Sequence, residues 1–318
     1  MAGFEVNTNE HLIRSNLWSN QLKQLLMDEL FAMKFVRVLT DFPDGTTFNI
    51  PTLGEAETFD FAEGQRVRYS KMDTGNFTFT FTQYKGSAHS ISEKFKRDSF
   101  YAQDVLSSFV PRQHRALMEA VETRILSIGN AGQTASNLNT INGGDHRFVG
   151  SGTSETIAIK DFARARYALQ RANVPMTNLV AILDPSVIYT LQTQANLVNL
   201  LSPMPQWDQV VKTGAVKGMK FEMNLMGFDC YTSNYLPSSI AETIDGLSTT
   251  VGVANYLFSA TPGDTLPFIG GFRQMPTVYS EFNKDTQETE YLTLAEYDFA
   301  LYREENLVTI LTDTDQVG

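Results

Sequence analysis

The sequence of 318 residues is poor in the residue types that build disulfides and metal sites, with one cysteine and four histidines. Because Cys230 is alone, no intrachain disulfide can form, which fits a reducing compartment. Cys230 lies in a run typical of a strand, so we expect a buried, inert thiol, with a reactive thiol as the alternative. No histidine has metal-site spacing or a paired cysteine, so no metal site is predicted. The histidines are His11, His89, His114 and His146.

Long apolar runs and a surplus of basic residues are also absent. No stretch approaches about 18 uninterrupted apolar residues, so no membrane span is predicted. The first residues lack the basic patch and apolar run of a secretory signal, and we expect a soluble protein made inside the cell. The 25 Lys and Arg against 36 Asp and Glu give a net charge of −11. This charge argues against a dedicated nucleic-acid-binding protein, though not against a protein that encloses DNA.

Sequence motifs of catalysis are absent as well. There is no phosphate-binding glycine loop, no dinucleotide fingerprint and no Gly-x-Ser-x-Gly elbow, and the cysteine has no histidine near it in sequence. His114 lies within the apolar periodicity of a helix, which favours a structural histidine over a catalytic base. We therefore predict a protein that is not an enzyme and has no catalytic, cofactor-binding or metal-binding residues. A cytosolic α/β enzyme whose site is assembled from distant residues stays open as an alternative.

What the sequence does contain is a periodic apolar pattern. Its apolar fraction of 42% is sufficient for a large core, and its length suggests about two domains or one large one. Helical spacing predicts helices over residues 9–36, 103–129 and 159–172, and another from Asp184-Pro185 to about Thr193. In the second helix, Pro111 is expected to cause a kink or mark a first turn, and Gly129 to end the helix.

Strands are predicted around and after these helices. Residues 179–183 form a short, continuously apolar run, and residues 219–237 read as two strands with a turn at Gly227. From Pro276 onward, aromatic and alternating segments predict further strands. The sequence therefore predicts an α+β protein.

Residues 46–92 predict a long β-hairpin with a charged tip. Phe77, Phe79 and Phe81 alternate with threonines, which is the period of a half-buried antiparallel strand. Because such a hairpin is not stable alone, its apolar face must pack on something, and a neighbouring subunit is one candidate. We expect Phe79→Asp to impair folding or assembly.

The charged segment after the hairpin suggests a second contact. Lys94, Lys96 and Arg97 follow the returning strand, while the hairpin segment before them is acidic. Ion pairs between subunits and a simply solvated face are both consistent with this pattern. Each exposed pair contributes about 0–1 kcal/mol, so only repetition would make such pairs matter. The acidic candidates are Glu55, Glu57 and Glu63.

Two segments resemble the HK97-fold major capsid proteins of tailed bacteriophages. RARYALQRANVPMTNLVAILDPSVIYTL, residues 164–191, looks like the helix, strand and helix of that family. MGFDCYTSNYLP, residues 226–237, is similar to a family signature. The order of segments also fits, over almost the whole chain. The signature positions are Gly227, Phe228, Ser233, Asn234, Leu236 and Pro237.

The resemblance implies a division of the chain into four parts. Residues 1–45 would be an N-terminal arm, and residues 46–92 the extended hairpin called the E-loop. Residues 93–158 and 270–318 would form a peripheral domain that contains the long spine helix at about 103–129. Residues 159–269 would form an axial α/β domain.

The resemblance also implies the function and partners. The protein would self-assemble into hexamers and pentamers of an icosahedral head that encloses phage DNA, as a virion component assembled in the host cytoplasm. Partners would be copies of itself, a portal, optional decoration proteins and, since the arm is short, a separate scaffolding protein. The double-stranded DNA would be enclosed without sequence-specific binding, and neither membrane nor cofactor would be needed. An encapsulin-like nanocompartment shell is the alternative of the same architecture.

Overall fold

A computed structural model describes residues 30–39, 47–54, 58–60, 63–64, 66, 74–99, 102–193, 221–239 and 241–313. The α-helices in these ranges are α1 (Glu93–Asp98), α2 (Ala102–Ala131), α3 (Ile159–Arg171) and α4 (Pro185–Thr193). Short 3₁₀ helices span Ala32–Phe35, Thr153–Glu155 and Glu304–Asn306. The strands are β1 (Val36–Val38), β2 (Thr47–Leu53), β3 (Thr74–Thr80), β4 (Gln83–Ser92), β5 (Thr140–Ile141), β6 (Gly144–Asp145), β7 (Arg147–Val149), β8 (Leu179–Leu183), β9 (Phe221–Leu225), β10 (Phe228–Thr232), β11 (Ser238–Ser239), β12 (Thr243–Ile244), β13 (Leu247–Ser248), β14 (Gly252–Ser259), β15 (Phe268–Asn283), β16 (Glu288–Leu301) and β17 (Val308–Asp313).

A seven-stranded mixed sheet forms the larger core. Its order is β7-β17-β14-β8-β10-β9, with β11 paired to β14. The central strand β8 is buried along its whole length, and its side chains alternate between the two faces. Val180 and Ile182 join one core cluster with side chains of α2, while Ala181 and Leu183 join a second cluster with α3 and α4. Helices therefore cover both faces of this sheet.

A four-stranded sheet, ordered β1-β15-β16-β4, is the second large sheet of the subunit. The strands β15, β16 and β4 are antiparallel, whereas the short β1 runs parallel to the start of β15. Helix α2 packs on one face of this sheet, where Gln113 donates to the carbonyl of Tyr291 (3.0 Å) and accepts from Thr293 Oγ1 (2.8 Å). The same long helix thus joins the two sheets.

The predicted spine helix is confirmed, but its end differs from the prediction. Pro111 lies inside α2, which runs to Ala131 rather than ending at Gly129. A Cβ at Gly129 would lie 2.7 Å from Cε1 of Tyr256, whose hydroxyl donates to the carbonyl of Leu126 (2.7 Å). Glycine is present there because the helix approaches the seven-stranded sheet closely, not because the helix stops.

The predicted hairpin is confirmed over β2 and β3, which pair from Thr47↔Thr80 to Leu53↔Thr74. Its extension to residue 92 is wrong. Strand β4 pairs with β16 in the four-stranded sheet and not with β2. Phe81 and Thr82 separate β3 from β4, so the alternating pattern runs across two strands that belong to different sheets.

Strands β7 and β17 lie in the seven-stranded sheet, although both fall in the segments expected to form the peripheral domain.

Most of the first predicted helix, residues 9–36, lies outside the described residues. Its last part is a 3₁₀ helix over Ala32–Phe35 followed by β1, so the prediction of a helix through residue 36 is wrong.

The shorter predicted elements agree closely with the structure. Helices α3 and α4, strand β8, and the β9-turn-β10 unit lie where the periodicity predicts them. At the turn, Met226 and Gly227 both have positive φ angles, of 54° and 90°, as a tight hairpin turn requires.

Candidate assembly surface

The phenylalanines of the hairpin mainly attach it to its own subunit. Phe79 and Phe81 are only 3% and 9% exposed, and their rings meet edge to face at 4.9 Å. The half-buried Phe77 packs edge to face on Tyr302, with ring centroids 5.2 Å apart. Of the three predicted contact residues, Phe79 and Phe81 therefore keep little surface for a neighbouring subunit.

The opposite face of the hairpin is polar and exposed. Asn76 donates to Asn49 (3.4 Å), and the hydroxyls of Thr47 and Thr80 lie 3.4 Å apart. Thr47 and Thr80 are directly opposite in the register, whereas Asn49 and Asn76 are diagonal neighbours on the same face. The hairpin thus has one face attached to its own chain and one face open to solvent.

The predicted basic residues on α1 differ in their surroundings. Lys96 bonds to Glu93 (2.5 Å) and to Thr289 Oγ1 (2.6 Å), so its charge is used within the subunit. The hydrogen bond from Lys96 lowers the pKa of the Glu93 carboxyl. Lys94 and Arg97 are exposed and form no ion pair among the described residues. Of the predicted acidic partners, Glu63 is exposed, while Glu55 and Glu57 lie outside the described residues.

The sequence did not reveal how the N-terminal segment is held. The buried Glu122 of α2 accepts hydrogen bonds from the backbone N–H groups of Phe31 (3.2 Å) and Ala32 (2.9 Å). Its carboxylate thereby satisfies the free N–H groups at the start of a 3₁₀ helix. A glutamate beside the apolar stripe of Val121 and Ile125 was the available signal, because a charge there needs a partner.

A second unpredicted contact joins three distant segments. Asp264 bonds to Arg37 and to Arg303 (2.6 Å to the latter), and both guanidinium groups lie over the Tyr302 ring at 5.7 and 5.0 Å. Burial acts to lower the pKa of Arg303, but the hydrogen bond and charge of Asp264 raise it overall. All these side chains are partly exposed, so each ion pair contributes about 0–1 kcal/mol. No local sequence pattern predicts this cluster.

The four-stranded sheet has an apolar face that α2 does not cover. Residues directly opposite in the register share a face, which places Tyr279, Leu292 and Ala88 in one row and Thr277, Leu294 and Gly86 in the next. We call this set, together with Tyr84, the outer strip. The Leu294 side chain packs over Gly86, because a Cβ added to Gly86 would lie 2.6 Å from Cδ2 of Leu294. Tyr84 and Tyr279 are 62% and 51% exposed. An exposed apolar patch of this kind marks an interaction surface.

A family model described as phage capsid protein matches residues 76–310, which is most of the sequence. The chain belongs to the phage capsid protein family. The resemblance seen in the sequence is thus confirmed, and the capsid protein is a structural component of the virion and not an enzyme. No curated protein matches this capsid protein in sequence.

Solved structures share the fold of this capsid protein over nearly the whole chain. A structure from Mycobacterium phage Che8 is 15% identical with a TM-score of 0.66, covering 93% of this chain and 96% of that one. The capsid structure of the cyanophage P-SCSP1u is 13% identical with a TM-score of 0.70, covering 98% and 95%. The capsid protein therefore has the α+β, HK97-like fold of tailed-phage capsids.

The nanocompartment alternative receives weaker support. The SrpI encapsulin from Synechococcus elongatus PCC 7942 is 11% identical with a TM-score of 0.60, covering 98% of this chain and 95% of that one. Its similarity in fold is lower than that of the phage structures, and the family model selects the phage capsid.

The remaining chemically capable side chains of the capsid protein are structural where the structure describes them. Burial raises the pKa of the Cys230 thiol to about 12, as expected of an inert thiol. The buried His146 ring lies 3.1 Å from the carbonyls of Gly144 and Glu305, and burial lowers its pKa. His114 is exposed, so its predicted place on the apolar face of the helix is wrong.

Neither a metal centre nor a membrane span emerges from the described ranges. Among those residues, no group of three or more His, Cys, Asp or Glu side chains could hold a metal ion. No helix there is both long enough and apolar enough to cross a membrane.

Proposed function

We infer that this capsid protein is the major capsid protein of a tailed phage, the repeating subunit of its icosahedral head. The observation that carries this function is the family match over residues 76–310. The geometry supports it, because the described helices and strands leave the polar hairpin face and the outer strip exposed. Copies of the subunit are the partners that a shell provides.

We propose that the subunits form hexamers and pentamers that close into the shell. Contacts between unlike surfaces of identical subunits generate rings when the rotation between neighbours closes. Each contact is modest, but every subunit in a closed shell touches several neighbours. A separate scaffolding protein, a portal and optional decoration proteins are the further partners proposed, with double-stranded DNA enclosed without sequence-specific binding.

The proposed domains follow the sheets. The N-terminal arm, residues 1–45, includes the segment held by Glu122, and the E-loop centres on β2 and β3. The peripheral domain, residues 93–158 and 270–318, contains α2, β16 and nearly all of β15, while the axial domain, 159–269, contains most of the seven-stranded sheet. The pairing of β7 and β17 supports moving those two strands to the axial domain.

The intersubunit contacts expected from the sequence remain proposals, mainly for the predicted residues whose side chains are exposed. Phe77 and the exposed Glu63 are hairpin residues with free surface, and Lys94 and Arg97 are the exposed cations near the hairpin root. Glu55 and Glu57 remain proposed contact residues of the hairpin. Lys96 supports these contacts indirectly, because its hydrogen bond to Thr289 Oγ1 attaches α1 to β16.

The test is electron microscopy and sedimentation of the purified protein, expressed alone and with candidate scaffolding genes. We expect icosahedral shells, or free hexamers and pentamers, in at least one of these conditions. A stable monomer in every condition, with neither rings nor shells, would contradict the proposed function.

A further inference from the structure

One end of the outer strip carries negative charge that no ion pair among the described residues neutralises. Glu281 of β15 lies directly opposite Glu290 of β16, and both are exposed. Asn283 donates to Glu290 Oε1 (3.0 Å), but neither carboxylate forms an ion pair in the described part of the chain. Like charges directly opposite on neighbouring strands destabilise a sheet. A cation from outside the subunit would reverse that effect.

The acidic pair continues the apolar rows of the outer strip. The row of Tyr279, Leu292 and Ala88 is two residues along each strand from the row of Glu281, Glu290 and Ser90. An apolar patch with a charged rim is the composition of a protein–protein interface. Phosphate groups of DNA are excluded as the occupant because they are also negative.

Helix α1 presents the complementary charge on the other side of the same sheet. Lys96 bonds to Thr289 Oγ1, and Thr289 alternates with Glu290, so α1 lies on the face that α2 covers. The exposed Lys94 and Arg97 project from this helix. Within one subunit the acidic pair and the basic helix are therefore held on opposite faces and cannot neutralise each other.

We propose that the outer strip, with Glu281 and Glu290, binds the α1 side of a second copy of this chain, whose Lys94 and Arg97 neutralise the two carboxylates. This inference rests on the proposed function and names one contact by which the subunits associate. Because the two surfaces lie on opposite faces of the sheet, each copy binds one neighbour through its outer strip and another neighbour through α1. Such a head-to-tail contact repeats from subunit to subunit and closes into a ring.

The test is a charge exchange measured by sedimentation of every oligomer formed, rings as well as shells. One variant carries Glu281→Lys and Glu290→Lys, a second carries Lys94→Glu and Arg97→Glu, and a third carries all four changes. We expect each double variant to lose oligomers while it keeps the wild-type circular dichroism spectrum, because like charges then face each other. The fourfold variant should recover them. Its net charge equals that of the wild type, so it also controls for a general charge effect.

The outcomes separate this contact from the proposed function. If the wild type assembles and either double variant assembles equally well, the contact is overturned while the function stands. Loss in both double variants without recovery in the fourfold variant would show that the two surfaces do not meet each other. A wild type that is monomeric in every condition would overturn both proposals.

Discussion

The seven-stranded and four-stranded sheets differ in how much of their surface the subunit covers. In the former, β8 and nearly all of β14 are buried because helices pack on both faces. In the latter, β15 is buried over its first four residues, and its far half is exposed. Among the described residues, helices therefore cover both faces of the first sheet and leave one face of the second sheet open.

This difference separates stability from assembly. A sheet buried on both faces gains its hydrophobic stabilisation within the folded subunit. A sheet that keeps Tyr84 and Tyr279 exposed gains further burial by binding another molecule. We expect substitutions in the first sheet to change the free energy of unfolding, and substitutions on the outer strip to change association.

The largest expected effect comes from the buried ion pair beside the seven-stranded sheet. Arg147 is almost fully buried and bonds to Glu242 (2.6 Å) and Asn130 (2.8 Å). Glu242→Ala leaves that charge uncompensated, which should lower the free energy of unfolding by about 3–5 kcal/mol. Denaturant unfolding of the unassembled subunit measures the loss.

The matched control lies on the four-stranded sheet. Glu296 forms a more exposed pair with Arg273 (3.0 Å), and Glu296→Ala should cost about 0–1 kcal/mol. Equal losses of unfolding free energy in Glu242→Ala and Glu296→Ala would contradict the proposed contrast between a sheet covered on both faces and a sheet with one open face.

An intermediate effect is expected where α2 holds the N-terminal segment. Glu122→Ala leaves the N–H groups of Phe31 and Ala32 without their acceptor, which should cost about 1–3 kcal/mol. Strand β1, at the edge of the four-stranded sheet, should be destabilised first, because it directly follows the residues that Glu122 holds. Limited proteolysis near residue 30, together with denaturant unfolding, checks this prediction. Glu119→Ala on the same helix, which removes an i,i+4 pair with Arg115, is the control and should cost about 0.3–0.5 kcal/mol.

The smallest effect is the pH dependence contributed by His146. Because burial holds its folded-state pKa below the ordinary value of 6.5, the unfolded chain binds the proton more readily. Stability should fall as the pH drops through 6.5 towards the folded pKa. His146→Gln should reduce the change in unfolding free energy measured between about pH 7 and pH 5. An identical pH dependence in the wild type and His146→Gln would refute this assignment.

Local patterns predicted most elements of the fold. The continuously apolar run 179–183 became the buried strand β8, and Asp184-Pro185 begins α4 where a cap and a first-turn proline predict it. The capsid resemblance supplied the architecture that these elements build. The intersubunit contacts stay predictions, and local pattern did not reveal that Phe79, Phe81 and Lys96 also contact their own subunit.

The sequence by itself determined where helices and strands form, because the 3.6- and 2-residue periods depend on neighbours within a few positions. Only the tertiary structure decided which strands pair and which faces stay open. Strand β4 joins β16 nearly 200 residues later, and Gly129 is needed for Tyr256 rather than for a helix end. Those outcomes depend on contacts between distant residues, which no local period encodes. The outer strip illustrates this, because an alternating strand shows that one face is apolar but not whether its own chain covers that face.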